Sequence, residues 1–456
     1  MKDKKIVVAV KYCGGDLNPF DAAALECALA SDCREIVAVT MAPPGIAEKL
    51  SQLTRLDVRA VLLTDPAFAG ADTLATAKTL AAFLRREKPD FVFCGRQSVD
   101  GDTAQVPPCL SALLGFAIVP SVMEMAGGAV ILRDGSRVRL TGGQVVTFER
   151  MAALRFPSIR SKCTPVETVG NSVLRLPAAE CGQAGSPTRV IRSFENTAGR
   201  RKCTFISPAE LDGVIARSLQ RERKALAAYD GRKLKKAFYI GNVRAETQRI
   251  AECAEEISAA GKSAKEIARE IEERGAKIVL WSDEPQMRVL APQAAGLLNA
   301  GLCADCTELK TDGERLFMVR PAAGGNITAE IECRAEVTMA TVRTAGGADS
   351  LVFSVGRGAE SALERIGKAA AERNARLCCS RAVVDDGLLP YACQVGLTGQ
   401  TAAPKVYVAF GISGAVQHMC AVERAGTVIA VNRDRDARIF DFADYGILED
   451  IDNVEL

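Results

Sequence analysis

Short apolar runs alternate with helical patterns along the first 120 residues, and this alternation limits the choice of fold more than any other feature. The apolar run IVVAV (6–10), for example, is followed by NPFDAAALECALA (18–30), which has helical spacing. Strands and helices in this order, with right-handed crossovers, form a doubly wound parallel sheet. The alternation restarts at AFYIG (237–241) and again at LVFSVGRG (351–358). The sequence therefore predicts an α/β protein with two related, tandem Rossmann-like units and a third α/β unit after them.

Three stretches carry more specific expectations. Residues 127–150 contain short alternating runs around Asp134-Gly135 and Gly142-Gly143, which predict antiparallel strands. Ser207-Pro208-Ala209-Glu210 has the pattern of a capping box and predicts the start of a linker helix that runs to Tyr229. The charged segment 244–273 predicts one long helix.

The bulk composition excludes several classes of protein. A chain of 456 residues is too long for one ordinary core, so about two to four domains are expected. Hydrophobic residues make up 48% and charged residues 25%, which is typical of a folded chain and not of a disordered one. The formal net charge is only +2, so the basic face of a dedicated nucleic-acid binder is not expected.

The distribution of apolar residues and cysteines indicates a reducing compartment. The apolar run after MKDKK is too short for a secretory signal, and no run is long enough to cross a membrane, so a cytoplasmic protein without membrane insertion is expected. The 16 cysteines lie singly within apolar runs, as buried free cysteines do. Cys303 and Cys306 have CxxC spacing but no second pair or nearby histidine. A structural role is favoured over zinc or redox chemistry, and no metal site is predicted.

The common nucleotide motifs are missing, but glycines and hydroxyl groups cluster at predicted strand ends. Neither GxxxxGK[ST] nor GxGxxG occurs, which disfavours P-loop ATPases and standard nicotinamide dehydrogenases. The runs VGLTG (395–399), GISGAVQH (411–418) and VNRD (431–434) follow apolar strands, where ligands of parallel sheets bind. Glycines allow backbone N–H groups to approach an anion, and a flavin offers acceptors that suit such a site. His418, the one histidine of the chain, is therefore either a flavin ligand or a buried bystander.

Long segments of the chain resemble the two subunits of electron-transfer flavoproteins. SRAVVDDG (380–387), QVGLTGQTAAPKVYVAFGISGAVQH (394–418) and VNRDRDARIF with ADYG (431–446) resemble the flavin-binding domain of the alpha subunit. ADCTEL, RPAAGGNITAEI and MATVR resemble the N-terminal domain of that subunit. The beta subunit is resembled by NPFDAAALECAL, DPAFAGADTLATA, CGRQSVDGDTAQV, LRFPSIRSK and GQAGSPTRVIRSF.

The resemblance implies a natural beta–alpha fusion with four parts. These are a beta-like nucleotide-binding domain (1–206), a linker helix (207–230), a shortened alpha N-terminal domain (231–345) and an alpha FAD-binding domain (346–456). It further implies that the tandem units are of the adenine-nucleotide hydrolase-like type. The FAD-binding domain would swivel on linkers near 343–350.

The resemblance also implies a set of FAD-binding residues in the C-terminal domain. His418 would lie at the O2/N1 edge of the flavin and favour its anionic reduced form, while Thr398 and Ser413 would bond near N5 and O4. Arg381 would lie over the ring. The remaining positions that match the family's ring, diphosphate and adenine contacts are Arg357, Ser380, Gln394, Val395, Gly399, Gly411, Gly414, Gln417, Asn432 and Asp444. For Asn432 and Asp444, capping of a turn is the alternative role.

In the beta-like half, the family binds a second nucleotide, which is AMP or a second FAD. The motifs GADTLAT (70–76) and GRQSVDGDTAQV (95–106) resemble the branch that holds FAD and bifurcates electrons. The residues that match this site are Asp72, Thr73, Thr76, Gly95, Arg96, Asp102, Thr103, Ala104 and Gln105. Asp102 is anionic and would cap a helix or bind ribose. The loop LRFPSIRSK resembles the family's partner-recognition loop, with Arg155, Phe156 and Ile159 as contact residues.

The expected function is that of an electron carrier and not of an enzyme with its own substrate. FAD would carry electrons between an acyl-CoA dehydrogenase-like flavoprotein and an acceptor, with NADH and ferredoxin as further candidate partners. The hairpin that normally follows VAVKYCGG is missing, the alpha N-terminal part is short, and Leu397 and Gln400 replace the usual Gln and Lys. The alternative is therefore a trimmed nucleotide-binding regulatory module without redox activity.

Overall fold

A computed structural model of the chain shows two compact units. It describes all residues except 127, 151, 196–199, 221–230, 323–324, 326, 344–348 and 397–398. The first unit comprises Met1–Ser193, Gly231–Ala323 and Ala329–Val342. The second comprises Phe194–Asp230, Gly324–Thr328 and Arg343–Leu456. In the part of the chain that the structure describes, no helix is both long and apolar enough to cross a bilayer.

A nine-stranded sheet forms the centre of the first unit. Its strands lie in the order Glu167–Val169, Arg59–Leu63, Glu35–Met41, Lys5–Ala9, Phe91–Gly95, Gln144–Phe148, Ala117–Ala126, Ala129–Leu132 and Arg137–Arg139. The first seven strands pair in parallel and the last two pairings are antiparallel. Both faces of the parallel part carry apolar clusters, which explains why its strands read as continuous apolar runs.

Helices cover the two faces of this sheet. They are Pro19–Ala30, Ala47–Ser51, Thr73–Glu87, Val106–Leu114 and Asn171–Leu174, with 3-10 turns at Pro44–Ile46, Gln52–Leu56, Pro66–Phe68 and Ala178–Glu180. Pro19 opens its helix as expected, since a first-turn proline lacks only an N–H that would be unpaired. The sequence analysis expected the family's longer hairpin to be missing after residue 15. The structure has a short antiparallel ribbon there, formed by Tyr12–Cys13 and Asp16–Leu17.

The prediction of antiparallel strands throughout residues 127–150 was wrong for its last strand. Ala129–Leu132 and Arg137–Arg139 do pair antiparallel. Gln144–Phe148 instead inserts in parallel between Phe91–Gly95 and Ala117–Ala126. All five of its residues are buried, and only a central position in the sheet covers both faces of such a strand.

A five-stranded parallel sheet also belongs to the first unit. Its strands have the order Ala251–Glu256, Leu234–Ile240, Ile278–Ser282, Thr338–Val342 and Gly301–Cys306. Its helices are Arg244–Ile250, Ala264–Glu273 and Met287–Leu298. A further four-stranded sheet has the order Thr188–Glu195, Ile327–Cys333, Leu316–Ala322 and Glu308–Thr311.

The single helix predicted for 244–273 was also wrong. The segment contains the helix Arg244–Ile250, the strand Ala251–Glu256 and the helix Ala264–Glu273. Pairing of the middle part with Leu234–Tyr239 outweighs its helical charge pattern. The second helix starts at a capping box between Ser263 and Glu266, which the charge pattern alone does not reveal.

The second unit is built on a six-stranded parallel sheet. Its strands lie in the order Thr204–Phe205, Tyr445–Leu448, Thr427–Asn432, Val406–Phe410, Leu351–Val355 and Arg376–Cys379. Its helices are Leu211–Gln220, Leu363–Glu372, Arg381–Asp385 and Val416–Met419, with 3-10 turns at Pro208–Glu210, Arg357–Ala362, Tyr391–Cys393, Arg438–Phe442 and Ile451–Asn453. Apolar clusters again cover both faces, and the predicted α/β class is confirmed.

The predicted domain boundary at residue 206 does not coincide with the limits of the C-terminal sheet. Thr204–Phe205, placed in the first domain by the sequence analysis, pairs with Tyr445 and Gly446 of the C-terminal sheet. The capping box at Ser207 and Glu210 is present, and the helix that follows is described as far as Gln220. Its expected continuation to Tyr229 lies outside the described residues.

Candidate functional site

The carboxyl edge of the six-stranded sheet gathers most of the predicted FAD residues. Val355 is in register with both Cys379 and Phe410, so the loops after these three strands begin at one level. These loops contain Arg357, Ser380 and Arg381, and Gly411 with Ser413. The sequence analysis placed the site at strand ends, and parallel pairing brings those ends together.

The loop Gly411–Gly414 has a backbone that is held on both sides. Gly411 and Gly414 have φ values of +60° and +83°, and a Cβ at either position would overlap neighbouring backbone, at Ala359 and Ile439 respectively. The Asn432 side chain donates from Nδ2 to the Ile412 carbonyl (3.0 Å), and the Ser413 carbonyl accepts from the Ile439 N–H (3.1 Å). The exposed Ser413 side chain therefore projects from a rigid turn.

His418 lies just behind this turn, on the short helix Val416–Met419, and is only 7% exposed. Its Nε2 lies 2.7 Å from the Tyr407 hydroxyl. Its Nδ1 is buried and has no hydrogen-bond partner among the residues that the structure describes. Burial lowers the pKa of His418 to about 4, so the imidazole is neutral at pH 7.

The loop that faces His418 begins at Gln394 and Val395, which are both buried. A Cβ on Gly399 would overlap the Gln394 carbonyl, so only glycine fits there without a shift of backbone. Gln400 is hydrogen-bonded to Arg376 and to the Ala392 carbonyl. Thr398 lies outside the described residues.

Two of the predicted cations lie at this edge in partly exposed ion pairs. Arg357 pairs with Asp386 at 3.3 Å, and Arg381 pairs with Asp385 at 3.1 Å. Ser380 is the N-cap residue of the helix that contains Arg381. Gln417 is exposed on the helix of His418. Partly exposed pairs of this kind are weak, so an anionic ligand can compete for either guanidinium.

Asp444 is not brought together with these residues. It precedes the strand Tyr445–Leu448, at the amino edge of the sheet, where its carboxylate accepts from the Val428 N–H (2.8 Å) and pairs with Arg201. Asp450 follows the same strand and therefore lies at the carboxyl edge, 3.3 Å from Arg433. The sequence analysis missed Asp450; its position after the last strand was the available signal. Asn432 does cap a turn, since its Oδ1 accepts from the Asp434 N–H.

The first unit contains a cavity of about 920 Å³, large enough for a nucleotide. It lies at the carboxyl end of the nine-stranded sheet. The predicted residues that line it are Asp72, Thr73, Thr76, Gly95, Arg96, Thr103, Ala104 and Gln105. Residues from the alpha-like segment also line it, namely Leu302, Cys303, Ala304, Arg320 and Ile331. The cavity is thus built from both of the tandem sheets.

Several of the predicted residues in this cavity also have structural roles. Asp72 caps the helix Thr73–Glu87 by accepting from Leu74 and Ala75, and its second oxygen accepts from Thr188. Thr73 donates to the Gln105 side chain at 2.7 Å. Asp102 is buried with a left-handed φ of 52° and accepts from the Gln97 amide, so it supports the loop from behind the cavity wall.

Three cationic side chains, those of Lys11, Arg96 and Arg320, belong to the polar lining of the cavity. Lys11 is paired with Asp100 at 2.7 Å, and Arg96 with Glu149 at 2.8 Å. Arg320 is only 5% exposed, donates from Nη2 to the Gly101 carbonyl (3.1 Å) and has no carboxylate partner among the described residues. The sequence analysis missed Arg320, although a single arginine in the apolar strand LFMVRPA was a usable signal.

A buried carboxyl group adds to this lining. Asp21 accepts from the backbone N–H groups of Lys11 (2.8 Å) and Gly95 (2.9 Å). Burial raises its pKa to about 7 in spite of these two bonds. Its charge therefore changes close to neutral pH.

The loop 153–162 exposes two large apolar side chains. Phe156 is 96% exposed and Ile159 is 99% exposed. Arg155 anchors the start of this loop through a bidentate contact with Glu26, whose shorter distance is 2.6 Å. Of the three predicted contact residues, Phe156 and Ile159 are therefore exposed to solvent, whereas Arg155 holds the loop in place.

Comparisons with known proteins agree with this geometry. The family model described as the electron transfer flavoprotein domain matches residues 5–150 and 250–360, which together make up more than half of the chain. The model described as the electron transfer flavoprotein FAD-binding domain matches residues 347–423. The chain belongs to the electron transfer flavoprotein family.

Individual members of the family cover parts of the chain. FixB of Clostridium saccharobutylicum is 34% identical over 37% of this chain and 64% of its own length. FixA of Azorhizobium caulinodans is 34% identical over 46% of this chain and 84% of its own. The acryloyl-CoA reductase electron transfer subunit beta of Anaerotignum propionicum is 34% identical over 36% of this chain and 65% of its own. The chain thus spans less than two thirds of FixB and of the reductase subunit.

The glycine turn of this flavoprotein leads to a stability prediction. Replacing Gly414→Ala forces a left-handed φ and a backbone overlap with Ile439, so the free energy of unfolding should fall by more than about 2 kcal/mol. Gly387→Ala is the control, since Gly387 has a φ of +74° but open space, and should cost about 1 kcal/mol. Urea unfolding of the second unit measures both. Equal losses would contradict a sterically fixed turn.

The buried imidazole leads to a pH prediction. Because the pKa of His418 is about 4 in the folded protein and about 6.5 when unfolded, the unfolded chain binds the proton first as pH falls. The stabilisation is complete above pH 6.5 and is lost progressively toward pH 4. Between pH 7.5 and 5 the cofactor-free protein should lose about 2 kcal/mol more than His418→Gln. Identical pH dependence of unfolding in the two proteins would contradict the depressed pKa.

Proposed function

We propose that this chain is a fused beta–alpha electron-transfer flavoprotein that carries electrons on FAD bound in its C-terminal unit. The observation that carries the proposal is the carboxyl edge of the six-stranded sheet, where a buried neutral histidine, a rigid glycine turn and two arginines meet. This edge falls largely within the residues matched by the FAD-binding family model.

The residues at this edge fit a flavin. The buried Nδ1 of His418 has no hydrogen-bond partner within the described part of the chain, so it is available to a ligand. The glycines Gly411 and Gly414 add no side chain to the turn beside it. Arg357 and Arg381 supply positive charge at the rim for the diphosphate or the ring. Bound FAD would supply the electron chemistry, and the protein would orient it and set the charge that it can hold.

Two features support the fusion. The electron transfer flavoprotein domain matches this chain in two separate stretches; the first contains most of the nine-stranded sheet and the second contains most of the five-stranded sheet. Gln105 of the first stretch donates to the Leu302 carbonyl of the second at 3.2 Å, and Cys109 approaches the Pro292 carbonyl at 3.1 Å. The two domains are therefore packed against each other within one compact unit.

The cavity between these two sheets is the proposed site of the second nucleotide. Its volume suits a nucleotide, and eight of the nine beta-side residues that the resemblance implies line it. Arg320 is buried and has no carboxylate partner in the part of the chain that the structure describes, and an anion beside it would offset the cost of a charge in the interior. A phosphate group of AMP or of a second FAD would provide it. Bifurcation with NADH and ferredoxin requires that second FAD, so the identity of this nucleotide separates a bifurcating protein from a simple carrier.

The exposed loop supports an acyl-CoA dehydrogenase-type flavoprotein as the partner. Phe156 and Ile159 form an apolar tip, and such residues are typical anchors of protein interfaces. One relative carries the name of an acryloyl-CoA reductase electron transfer subunit. The partner would bury this tip while the flavin exchanges electrons.

Arg320→Gln tests the second nucleotide. Loss of a charged hydrogen bond to phosphate should weaken nucleotide binding by on the order of 10- to 100-fold. Stability in the absence of nucleotide should not fall, since a buried unpaired charge is removed. Arg315→Gln is the control, because Arg315 is exposed and paired with Asp312. Mass spectrometry of acid-released nucleotides gives the readout; full retention of the second nucleotide by Arg320→Gln would refute its role.

Ile159→Glu tests the partner surface. The side chain is free in the chain, so flavin content and unfolding should be unchanged. Electron transfer from a substrate-reduced acyl-CoA dehydrogenase should slow by on the order of 10-fold or more. Val190→Glu, at another exposed apolar position, is the control. Stopped-flow absorbance of the flavin measures the rate, and equal rates in both variants would remove this loop from the interface.

A further inference from the structure

A buried phenol–imidazole pair lies inside the C-terminal unit. Tyr407 is fully buried on the strand Val406–Phe410, and its hydroxyl lies 2.7 Å from Nε2 of His418. This distance is that of a good hydrogen bond. The Nε2 side of the ring therefore points into the sheet interior, and the buried Nδ1 lies on the opposite side of the ring.

The direction of this hydrogen bond decides where the imidazole proton lies. Burial keeps the His418 ring neutral at pH 7, and a neutral ring has one N–H and one bare nitrogen. A phenol can donate to the bare nitrogen or accept from the N–H. If Tyr407 donates, the histidine proton is on Nδ1; if Tyr407 accepts, it is on Nε2.

The surroundings of both residues favour Tyr407 as the donor. Burial raises the pKa of Tyr407 well above 10, so its proton is retained. Its hydroxyl has one hydrogen-bond partner in the described part of the chain, which is Nε2 of His418. A phenol that only accepted would leave its buried O–H unpaired, so Tyr407 gives its proton to His418.

The other side of the ring agrees with this direction. Nδ1 of His418 is buried and has no hydrogen-bond partner in the described part of the chain. If Tyr407 donates, only the Nδ1–H is left unpaired, and it is available to a ligand. If Tyr407 accepts, both its own O–H and a bare Nδ1 are left unpaired, so the single proton lies on Nδ1.

We propose that Tyr407 is a positioning residue that holds His418 in the tautomer with its proton on Nδ1. This inference rests on the proposed function where it concerns the flavin: a bound flavin would meet a neutral N–H donor, and neither an imidazolium nor a bare nitrogen. Donation by Tyr407 to Nε2 also polarises the ring and strengthens Nδ1–H as a donor. Tyr407 thereby acts on the flavin through His418.

The presence of only one histidine in 456 residues makes the tautomer directly measurable. The full chain is labelled with ¹⁵N-histidine and studied by NMR at pH 7, first without cofactor and then with FAD added. The two ring nitrogens are distinguished by their couplings to the two ring C–H protons. A protonated Nδ1 with an unprotonated Nε2 is expected. A protonated Nε2, or two protonated nitrogens, would overturn the proposal.

Tyr407→Phe tests the cause. The Nε2 resonance should move toward that of an unprotonated nitrogen without a donor, and the midpoint potential of the bound flavin should become more negative. Tyr445→Phe is the matched control, since it removes a hydroxyl from the same sheet at a position with no recorded bond to His418. An unchanged Nε2 resonance in Tyr407→Phe would refute donation by Tyr407. An unchanged potential would refute its action on the flavin.

Failure of the proposed function gives a different result. If the chain binds no flavin, adding FAD changes nothing in the spectrum, while the tautomer in the cofactor-free chain still reports on Tyr407. If flavin binds but Nε2 carries the proton, the carrier proposal stands and the positioning role falls.

Discussion

Parallel pairing of short, fully buried strands is the constraint on which both candidate sites depend. In the C-terminal sheet, the pairing of Val355 with Cys379 and Phe410 places three loops at one level. No helix or antiparallel hairpin would gather residues that lie so far apart in sequence. Since both faces of the sheet must be covered by apolar side chains, the polar groups of the site can lie only at the strand ends.

The same constraint explains the unusual polar groups inside the molecule. His418 and Tyr407 lie close to the apolar interior, where a charge is costly, so the imidazole stays neutral and bonded to the phenol. Arg320 is buried in the wall of a cavity that is large enough for a nucleotide. Each unit thus has its own buried polar group at a strand end or in a cavity wall, His418 in the second unit and Arg320 in the first.

Much of this could be predicted from the sequence, and the failures have physical causes. The apolar runs were sufficient for the fold class, and the long motifs around GISGAVQH led to the family; the role of His418 stays a prediction. Gln144–Phe148 was predicted antiparallel because its neighbours are, while its burial on both faces requires a central parallel position. The role of Asp444, carried over from a motif, stays a prediction; strand direction, which the motif does not encode, places this residue at the opposite edge from Asp450. Arg320 lines the cavity only because two sheets that are distant in sequence pack around it, and no local sequence pattern predicts that packing.

The central claim is that one chain holds a flavin in its C-terminal unit and a second nucleotide in its tandem domains. The most direct test is the molar ratio of released FAD and AMP to protein in the purified chain, determined by chromatography after denaturation. The account predicts one FAD together with either one AMP or a second FAD per chain. A purified chain that contains no flavin and does not bind added FAD would contradict it.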